Sequence, residues 1–243
     1  MRSPRGLRGA VAATATAAVC GATGIVSAGP ATAVNHYHAY AVVLQHGAGI
    51  TAVRGTWRDF EPGLVHPILN INGCYNDADV NSAVWLLMPG GTQIEMGYTV
   101  EACGPVGRLL AYRYVAITDP AGNQSIAELD RRGHETDSLL DRFAPNDASH
   151  TYVIQRTADP HVWVFALDGR IVHRWRSAGV LSAYAAETGI ESYQPNARVR
   201  VTFGGLGVQH GGRWSAWQSD ATVCTSTRMS GLRGPARWTA HEN

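Results

Sequence analysis

Two glutamates stand in strand-like segments, where glutamate is uncommon. Glu95 lies in the middle of the segment TQIEMGY, and Glu191 follows Gly189-Ile190 in a similar context late in the chain. Glutamate is depleted in strand centres, and a carboxylate there requires water, a partner or a chemical role. Gly97, on the face of Glu95, leaves the open space that a cleft needs. The alternative interpretation is that each glutamate is solvated or paired with an arginine, as charged side chains usually are.

Other motifs that carry chemistry are absent from the sequence. It contains no G-x-S-x-G, no H-E-x-x-H and no P-loop pattern. Cys74 and Cys103 lack the spacing of a zinc site. His36 and His38 place two imidazoles on one strand face, but no third ligand is recognisable. The sequence therefore predicts neither a metal site nor a cofactor.

The composition is that of an ordinary globular protein. All 20 basic residues are arginines and 19 residues are acidic, which gives a net charge of +1. This balance favours neither nucleic acid nor an anionic membrane surface as a partner. Hydrophobic residues make up 45% of the chain and charged residues 16%, values typical of a folded chain.

The first 33 residues have the pattern of a secretory signal peptide. Arg2, Arg5 and Arg8 precede a run of small, apolar residues, and Ala31-Thr32-Ala33 is an A-x-A cleavage signal. A retained membrane anchor is the alternative, although the run is rich in Ala, Gly and Thr rather than Leu and Ile. Removal of 33 of the 243 residues leaves 210. We therefore expect a secreted, extracellular protein without a membrane segment, folded as one domain over residues 34–243.

Three cysteines remain after cleavage. In an oxidising compartment one disulfide is expected. Cys74 and Cys103 are closest in sequence and flank strand-like segments, so they are the predicted pair. Cys224 is then either a free buried thiol or the true partner of one of the others.

The mature chain has an almost entirely β pattern. Within Thr92–Val100, Ile94, Met96, Tyr98 and Val100 alternate with polar or small residues, and this period of two is the signature of a strand. Pro89-Gly90-Gly91 and Asp168-Gly169 predict hairpin turns. Residues 125–140 carry much of the mid-chain charge and predict either a short helix or an exposed hairpin. The remaining predicted strands are Ala41–Leu44, Ile50–Trp57, Ser82–Met88, Leu109–Thr118, Thr151–Arg156, Val162–Leu167, Arg170–Trp175, Arg198–Phe203, Trp214–Trp217 and Ala221–Thr225, the last two closing the domain. About ten short strands in one domain predict a β-sandwich or barrel.

The order of several short motifs resembles that of the secreted glutamic peptidases. The motifs are Gly55-Thr56-Trp57, SAVWL and IEMGY within Ser82–Tyr98, VWVFALDG at Val162–Gly169, and Gly189-Ile190-Glu191. In the eqolisin branch the first catalytic position is a glutamine, whereas this chain has Glu95. The neprosin branch, whose catalytic pair is two glutamates, is more similar, although its W-G-G-E and M-G-S-G motifs are not found. The resemblance implies an all-β, concanavalin-like antiparallel double-sheet β-sandwich.

The same resemblance implies a mechanism. Glu95 and Glu191 become a catalytic pair that shares one proton, since two like charges in one cleft cannot both ionise cheaply. By analogy Glu191 is the base, and Glu95 is the acid and oxyanion donor. Trp57, Gln93 and Tyr193 become groove residues that bind the substrate, although a core position for Trp57 is an open alternative. Such an acid endopeptidase cleaves polypeptides at acidic pH without a metal.

Other functions are consistent with the same fold. A non-catalytic module could bind glycan or protein in the equivalent groove, with tryptophans such as Trp214 and Trp217 stacking on sugar rings. A glycoside hydrolase also needs paired carboxylates, but usually carries both on one strand a few residues apart, unlike Glu95 and Glu191. A catalytically inactive relative is a further possibility, because fold does not dictate function. The sequence indicates no oligomeric state.

Overall fold

The computed structural model describes residues 39–64, 74–103, 108–192, 197–217, 222–225, 229–234 and 237–242. The predicted signal peptide, His36, His38 and Tyr193 lie outside these residues, so those predictions stay predictions. The described residues form strands and two short 3₁₀ turns. The strands are β1 (Ala39–Arg58), β2 (Gly63–Leu64), β3 (Cys74–Leu87), β4 (Gln93–Cys103), β5 (Arg108–Thr118), β6 (Gln124–Leu129), β7 (Glu135–Thr136), β8 (Ser149–Arg156), β9 (Val162–Leu167), β10 (Arg170–Arg176), β11 (Ala183–Ser192), β12 (Ala197–Arg198), β13 (Arg200–His210), β14 (Arg213–Ala216), β15 (Thr222–Thr225), β16 (Met229–Gly234) and β17 (Arg237–Glu242).

Strand β1 belongs to two sheets at once. The sequence predicts two separate strands here, but the structure has one strand of 20 residues. Its N-terminal half pairs with β11 and β15, and its C-terminal half pairs with β8 and β13. The pairing register shifts between His46 and Ile50, where Gly49 adopts a left-handed conformation with φ 74°. This irregularity lets one strand pass from the first sheet into the second.

Each half of β1 organises one antiparallel sheet. The first sheet runs β15-β1-β11-β3-β4-β5-β6-β7, and the second runs β10-β9-β8-β1-β13, with β14 and the β17-β16 pair continuing from β13. A separate two-stranded ribbon pairs β12 with β2. The functional candidates lie on β3, β4, β5 and β11 of the first sheet.

The hydrophobic core lies between the two sheets. Ile94, Met96, Tyr98 and Val100 of β4 all belong to it, as the alternation predicts. The second sheet contributes large side chains that pack against them, namely Tyr152, Ile154, Trp163, Phe165 and Phe203. Two antiparallel sheets packed over one core confirm the predicted all-β, concanavalin-like double-sheet sandwich.

The connections agree with the predicted turns. Asp168 and Gly169 both have positive φ, 51° and 80°, as the two-residue turn between β9 and β10 requires. Pro89–Gly91 forms a 3₁₀ turn between β3 and β4. Residues 125–140 form the hairpin alternative, with β6 paired to β7, and not a helix apart from the 3₁₀ turn Leu139–Asp141. The predicted strands end at Thr225, but β16 and β17 follow and pair with each other, and β17 also pairs with β13.

The backbone places Cys74 of β3 directly opposite Cys103 of β4. Cys224, on β15, lies opposite Val42. Directly opposed residues of antiparallel strands have the spacing a disulfide needs. The Cys74–Cys103 disulfide therefore stays a prediction, made from sequence and consistent with this register.

A buried ion pair holds the first sheet to the end of β1. Nη2 of Arg113 on β5 lies 2.7 Å from Oδ2 of Asp59, and both side chains are fully buried. The Arg113 guanidinium also lies over the Phe143 ring, 4.8 Å from its centroid. Burial raises the pKa of Asp59, against the opposing charge of Arg113. Loss of one partner is therefore expected to destabilise the fold, because it leaves the other charge buried and unpaired.

We predict that Arg113→Met lowers the free energy of unfolding by about 3–5 kcal/mol, because it leaves the Asp59 carboxylate buried without its partner. Urea denaturation of both proteins gives the difference. The control is Arg58→Met, which removes an ion pair to Asp147 between largely exposed side chains and is expected to leave the urea midpoint unchanged. Equal losses in the two variants would contradict the importance assigned to the buried pair.

Candidate carboxylate site on the outer face of the first sheet

Three adjacent strands bring two glutamates and a tryptophan into one row. Glu187 on β11 lies opposite Trp85 on β3, and Trp85 lies opposite Glu95 on β4. Directly opposed residues share a face, here the face directed away from the core, which we call the outer face. Two strand spacings separate the Cα atoms of Glu95 and Glu187 by about 10 Å. Side chains of this length can converge over the intervening tryptophan.

Glu191 lies on the same face, four residues further along β11. Its Cα is about 13 Å from that of Glu187 at the usual rise per strand residue. Between the two levels lies a row of small residues, in which Gly189, Ala83 and Gly97 are directly opposed. Glu191 is half-buried, whereas Glu95 and Glu187 are almost fully buried. The carboxylates therefore surround a floor of small side chains, and Glu191 lies on its more exposed side.

Glu95 is held by two hydrogen-bond donors. The Tyr114 hydroxyl on β5 donates to Oε1 of Glu95, and the Trp85 side chain is a second donor. Burial, and then the charge of Glu191, raise the pKa of Glu95 to about 8 in spite of these donors. The hydrogen bonds favour the ionised form and burial favours the protonated one. Glu95 is therefore a carboxyl whose protonation its surroundings control.

Glu187 has a similar environment but fewer partners. Its side chain is 3% exposed, and its Oε1 has no hydrogen-bond partner among the described residues. Burial raises its pKa to about 8, with smaller contributions from the charges of Glu191 and Glu95. Because an ionised carboxylate disfavours ionisation of its neighbour, Glu95 and Glu187 titrate as a coupled group. Such a group can hold a proton donor beside a proton acceptor at the same pH.

A second polar cluster occupies another part of the outer face. Arg142 pairs with Glu101 on β4 and with Glu128 on β6, in the latter case at 3.0 Å between Nη2 and Oε1. Its guanidinium lies over the Tyr112 ring, 4.3 Å from the centroid, and the Tyr112 hydroxyl donates to Glu101 at 3.0 Å. The charge of Arg142 is thus compensated locally. This cluster anchors the loop before β8 on the sheet.

The structure places three of the predicted site residues on one face, with Glu95 and Glu191 four residues apart along the strand direction. Glu95 and Glu191 share the outer face, on strands separated by β3. Gln93 lies on the same face of β4, two residues before Glu95, and is buried. The alternation that predicts β4 thus also identifies the face on which the carboxylates meet.

Trp57 takes the core position that was the open alternative, and the other two tryptophans also lie away from the predicted groove. Trp57 is 1% exposed in the core, where its ring stacks on Tyr152 with centroids 4.0 Å apart. The substrate-binding role predicted for Trp57 does not agree with this position, because the residue faces the space between the sheets. Trp217 is likewise buried in the core. Trp214 lies under Arg54, whose guanidinium carbon is 4.6 Å from the ring centroid. Neither residue reaches the outer face of the first sheet.

Sequence reasoning missed three residues of the site, namely Glu187, Trp85 and Tyr114. For Glu187 a signal was present in the sequence Glu187-Thr188-Gly189-Ile190-Glu191. Two glutamates four residues apart on a strand must share a face, because side chains alternate with a period of two. Nothing in the sequence reveals the Tyr114–Glu95 contact, which depends on the pairing of β4 with β5.

Two kinds of feature are missing from the described part of the chain. No group of three or more His, Cys, Asp or Glu side chains is arranged there to hold a metal ion. Within the same residues, no helix has the length and apolar character needed to span a bilayer.

No protein-family model matches this sequence. A search of curated proteins also finds no match. Solved structures with similar folds include a native glycosidic hydrolase, with a TM-score of 0.34, 12% identity, and coverage of 83% of this chain and 74% of that one. Another is a prokaryotic β-1,3-1,4-glucanase (lichenase) derived from a mouse hindgut metagenome, with a TM-score of 0.32, 12% identity and coverage of 83% and 78%. A third is the κ-carrageenase from Pseudoalteromonas carrageenovora in complex with an oligotetrasaccharide of κ-carrageenan, with a TM-score of 0.27, 9% identity and coverage of 81% and 65%.

The chain is thus distantly similar in structure to β-sandwich glycoside hydrolases. At these TM-scores and identities the similarity carries no conclusion about reaction or ligand. The resemblance to glutamic peptidases has no support from a family model. Function must therefore be argued from the carboxylate site itself.

We predict that the stability of the protein falls as the pH rises from about 5 to about 8. Glu95 and Glu187 have folded-state pKa values raised above those of the unfolded chain, so the folded state binds more protons across this range. Each such group lowers the free energy of unfolding by up to about 1.4 kcal/mol per pH unit. Urea midpoints measured at several pH values test this dependence.

The variant Glu187→Gln removes one of these groups and is expected to flatten the pH dependence, with a gain in stability at pH 8. Glu61→Gln, at an exposed position, is the control and should leave the slope unchanged. If Glu187→Gln and wild type lost stability at the same rate between pH 5 and 8, Glu187 would not be the buried, protonated carboxyl described above.

Proposed function

We propose that this protein is a secreted hydrolase of the glutamic-peptidase type, in which Glu95 and Glu187 form the catalytic carboxyl pair. One observation carries the proposal. Glu95 and Glu187 lie in a single row on either side of Trp85, both are buried, and both have raised pKa values. Perturbed carboxyl pairs of this kind are concentrated at sites of acid–base chemistry.

The surroundings of the two carboxyls distinguish their roles. Glu95 accepts hydrogen bonds from Tyr114 and Trp85, which favours its ionised form. Glu187 has an oxygen without such a donor among the described residues, so the shared proton resides mainly on Glu187. Glu95 then acts as the base on a water molecule, and Glu187 donates to the carbonyl oxygen of the scissile bond as negative charge develops. When the C–N bond breaks, Glu95 passes the proton taken from water to the leaving amine nitrogen, and Glu187 recovers its proton from the hydroxyl of the intermediate.

This pair differs from the Glu95–Glu191 pair expected from sequence. Glu191 is further from Glu95 than Glu187 is. Both lie two strand spacings from Glu95, but Glu191 is also offset by four residues along the strand. Its charge raises the pKa of both Glu95 and Glu187. We therefore assign Glu191 an electrostatic role beside the pair, at the more exposed side of the site.

A polypeptide is the substrate class that the residues favour. The motifs that carry the peptidase resemblance supply Trp85, Glu95 and Glu191, which lie on the adjacent strands β3, β4 and β11. Gly189 and Ala83 lie between the levels of Glu187 and Glu191, whereas the space over Gly97 is filled by the Tyr114 ring. The reaction needs no metal and no cofactor, because the two carboxyls supply both proton transfers.

We predict that purified protein comprising residues 34–243 cleaves a denatured, alkylated protein substrate with activity that rises toward pH 8, and not at the acidic pH that the peptidase resemblance implies, because Glu95 must ionise to act as the base and its pKa is raised to about 8. Activity is expected to disappear above about pH 8, where the pair loses its shared proton. Glu95→Gln and Glu187→Gln are each expected to lower kcat/KM at least about 100-fold, the usual size of a lost acid or base. Mass spectrometry of the peptides formed between pH 3 and 8 measures the activity.

Glu61→Gln is the matched control for the loss of one carboxylate and should retain full activity. Glu191→Gln should retain activity with its alkaline limit moved to lower pH, since loss of the Glu191 charge lowers the pKa of both members of the pair. A folded wild-type protein that cleaves no denatured substrate at any pH in this range would rule the peptidase out.

Glycoside hydrolysis is the second candidate, and one observation favours it. Glu187 and Glu191 lie four residues apart on the same face of β11, on either side of Gly189. A glycosidase needs two carboxyls about 5–9.5 Å apart, flanking the scissile bond. In this reaction Glu187 and Glu191 are essential, whereas Glu95 is not. The pattern of loss among the three Glu→Gln variants, with a panel of β-glucans and sulfated galactans as substrates, thus separates the two reactions.

A non-catalytic protein that binds glycan or polypeptide on this face would give a third result. Binding to one of these ligands would be measurable, and no product would form in either assay. That result would contradict both catalytic candidates and favour the binding module.

A further inference from the structure

Tyr114 reaches Glu95 diagonally, across a glycine. On β5 it lies opposite Gly97, and Ala116 is the residue opposite Glu95. A Cβ atom at position 97 would lie 2.9 Å from Cε1 of Tyr114, 2.8 Å from Cβ of Ala83 and 2.4 Å from the carbonyl oxygen of Ser82. The Tyr114 ring therefore occupies space that only glycine leaves free. Gly97, which sequence analysis associates with a cleft, instead admits this ring.

The Tyr114 hydroxyl acts only as a donor toward Glu95. Burial, and then the charge of Glu95, raise the pKa of Tyr114 well above its usual value, so the phenol keeps its proton. Tyr114 is 5% exposed, as is Glu95, and the contact is shielded from solvent. A hydrogen bond to a charged group in such surroundings contributes more than one in water.

We propose that Tyr114 is a positioning residue that fixes the Glu95 carboxylate and decides which carboxyl of the pair holds the shared proton. With the hydroxyl present, the proton stays on Glu187 and Glu95 is ready to act as the base. Without the hydroxyl, the proton affinities of the two carboxyls differ less, and in part of the protein the proton resides on Glu95 instead of Glu187. The catalytic consequence rests on the proposed function, whereas the effect on the protonation of Glu95 does not.

Few groups of the described residues face Glu95. They are Glu187 and Glu191 from β11, the Trp85 indole from β3 and the Tyr114 phenol from β5. The side chains that β1 places in the same rows, Leu44 and Val42, are apolar. Of the two donors, Tyr114 is the one that can be removed by deletion of a single oxygen atom with retention of the ring.

Tyr112 provides a matched control two residues earlier on the same strand. Its ring lies on the same face and contacts the Tyr114 ring, with centroids 6.3 Å apart. Its hydroxyl donates to Glu101, which pairs with Arg142, and not to Glu95. Tyr112→Phe thus removes the same atom from the same sheet without a change at the pair.

The experiment compares wild type, Tyr114→Phe and Tyr112→Phe in two measurements. The first is the titration of the Glu95 side-chain carboxyl carbon, followed by NMR with ¹³C-labelled glutamate. The second is the pH profile of kcat/KM on the denatured substrate. Loss of a hydrogen bond to a carboxylate corresponds to about a tenfold to hundredfold change in its ionisation constant.

We expect Tyr114→Phe to move the Glu95 titration, and with it the acid limb of the pH profile, about 1 pH unit or more upward. We expect Tyr112→Phe to leave both in place. An unchanged Glu95 titration in Tyr114→Phe, or an equal shift in Tyr112→Phe, would overturn the proposal. If wild type proved inactive, the proposed function would fail, while the NMR titration would still decide the role of Tyr114.

A second variant covers the case in which Tyr114→Phe fails to fold. 3-Fluorotyrosine at position 114 keeps the ring and the hydroxyl but makes the phenol a stronger donor. It is expected to move the Glu95 titration in the opposite direction, to lower pH. A shift to higher pH, or none, would contradict the role assigned to the hydroxyl.

Discussion

One continuous strand shared by two sheets determines the architecture of this protein. The two halves of β1 pair with different partners, and only the irregularity around Gly49 lets the backbone pass from one sheet to the other. The halves on either side present apolar residues to the same core, among them Val43 and Val53. The position of one sheet relative to the other therefore follows from the conformation of a few residues. The outer face depends on this arrangement, because packing of the other face of β11, β3 and β4 into the core determines which of their side chains lie on the outer face.

The buried carboxyl groups on the outer face destabilise the fold. Burial of carboxyl groups away from cations favours their neutral forms, and two of the three glutamates here have strongly raised pKa values. Arginines are abundant in the sequence, yet the arginine described on this face, Arg142, pairs with Glu101 and Glu128 instead. Nothing in the packing of the sandwich requires glutamate at positions 95 and 187. Side chains that destabilise a fold in this way are typical of functional sites.

Much of the architecture follows from local sequence pattern, and much of the site does not. The alternation in β4 assigns every residue of that strand to its face, because one face is wholly apolar. Trp57 has no such pattern around it, so a motif alone placed it in a groove, whereas pairing of β1 with β8 turns it into the core against Tyr152. Glu95 and Glu187 are nearly a hundred positions apart in the chain. They lie in one row only because β3 pairs with both β4 and β11. Strand order of this kind depends on long-range packing, which local propensity does not encode.

The pairing of β1 also has a consequence for the order in which the chain can fold as it is made. Strands β3 to β6 pair with their neighbours in sequence, and this meander can form as soon as its residues leave the ribosome. Every partner of β1, in contrast, begins at Ser149 or later. At a synthesis rate of about 5–20 residues per second, β1 waits roughly 5–20 s with its backbone hydrogen bonds unmatched. During that interval the nascent protein exposes a long, apolar, unpaired strand, and holding it apart from other chains is a task for the cell's chaperones.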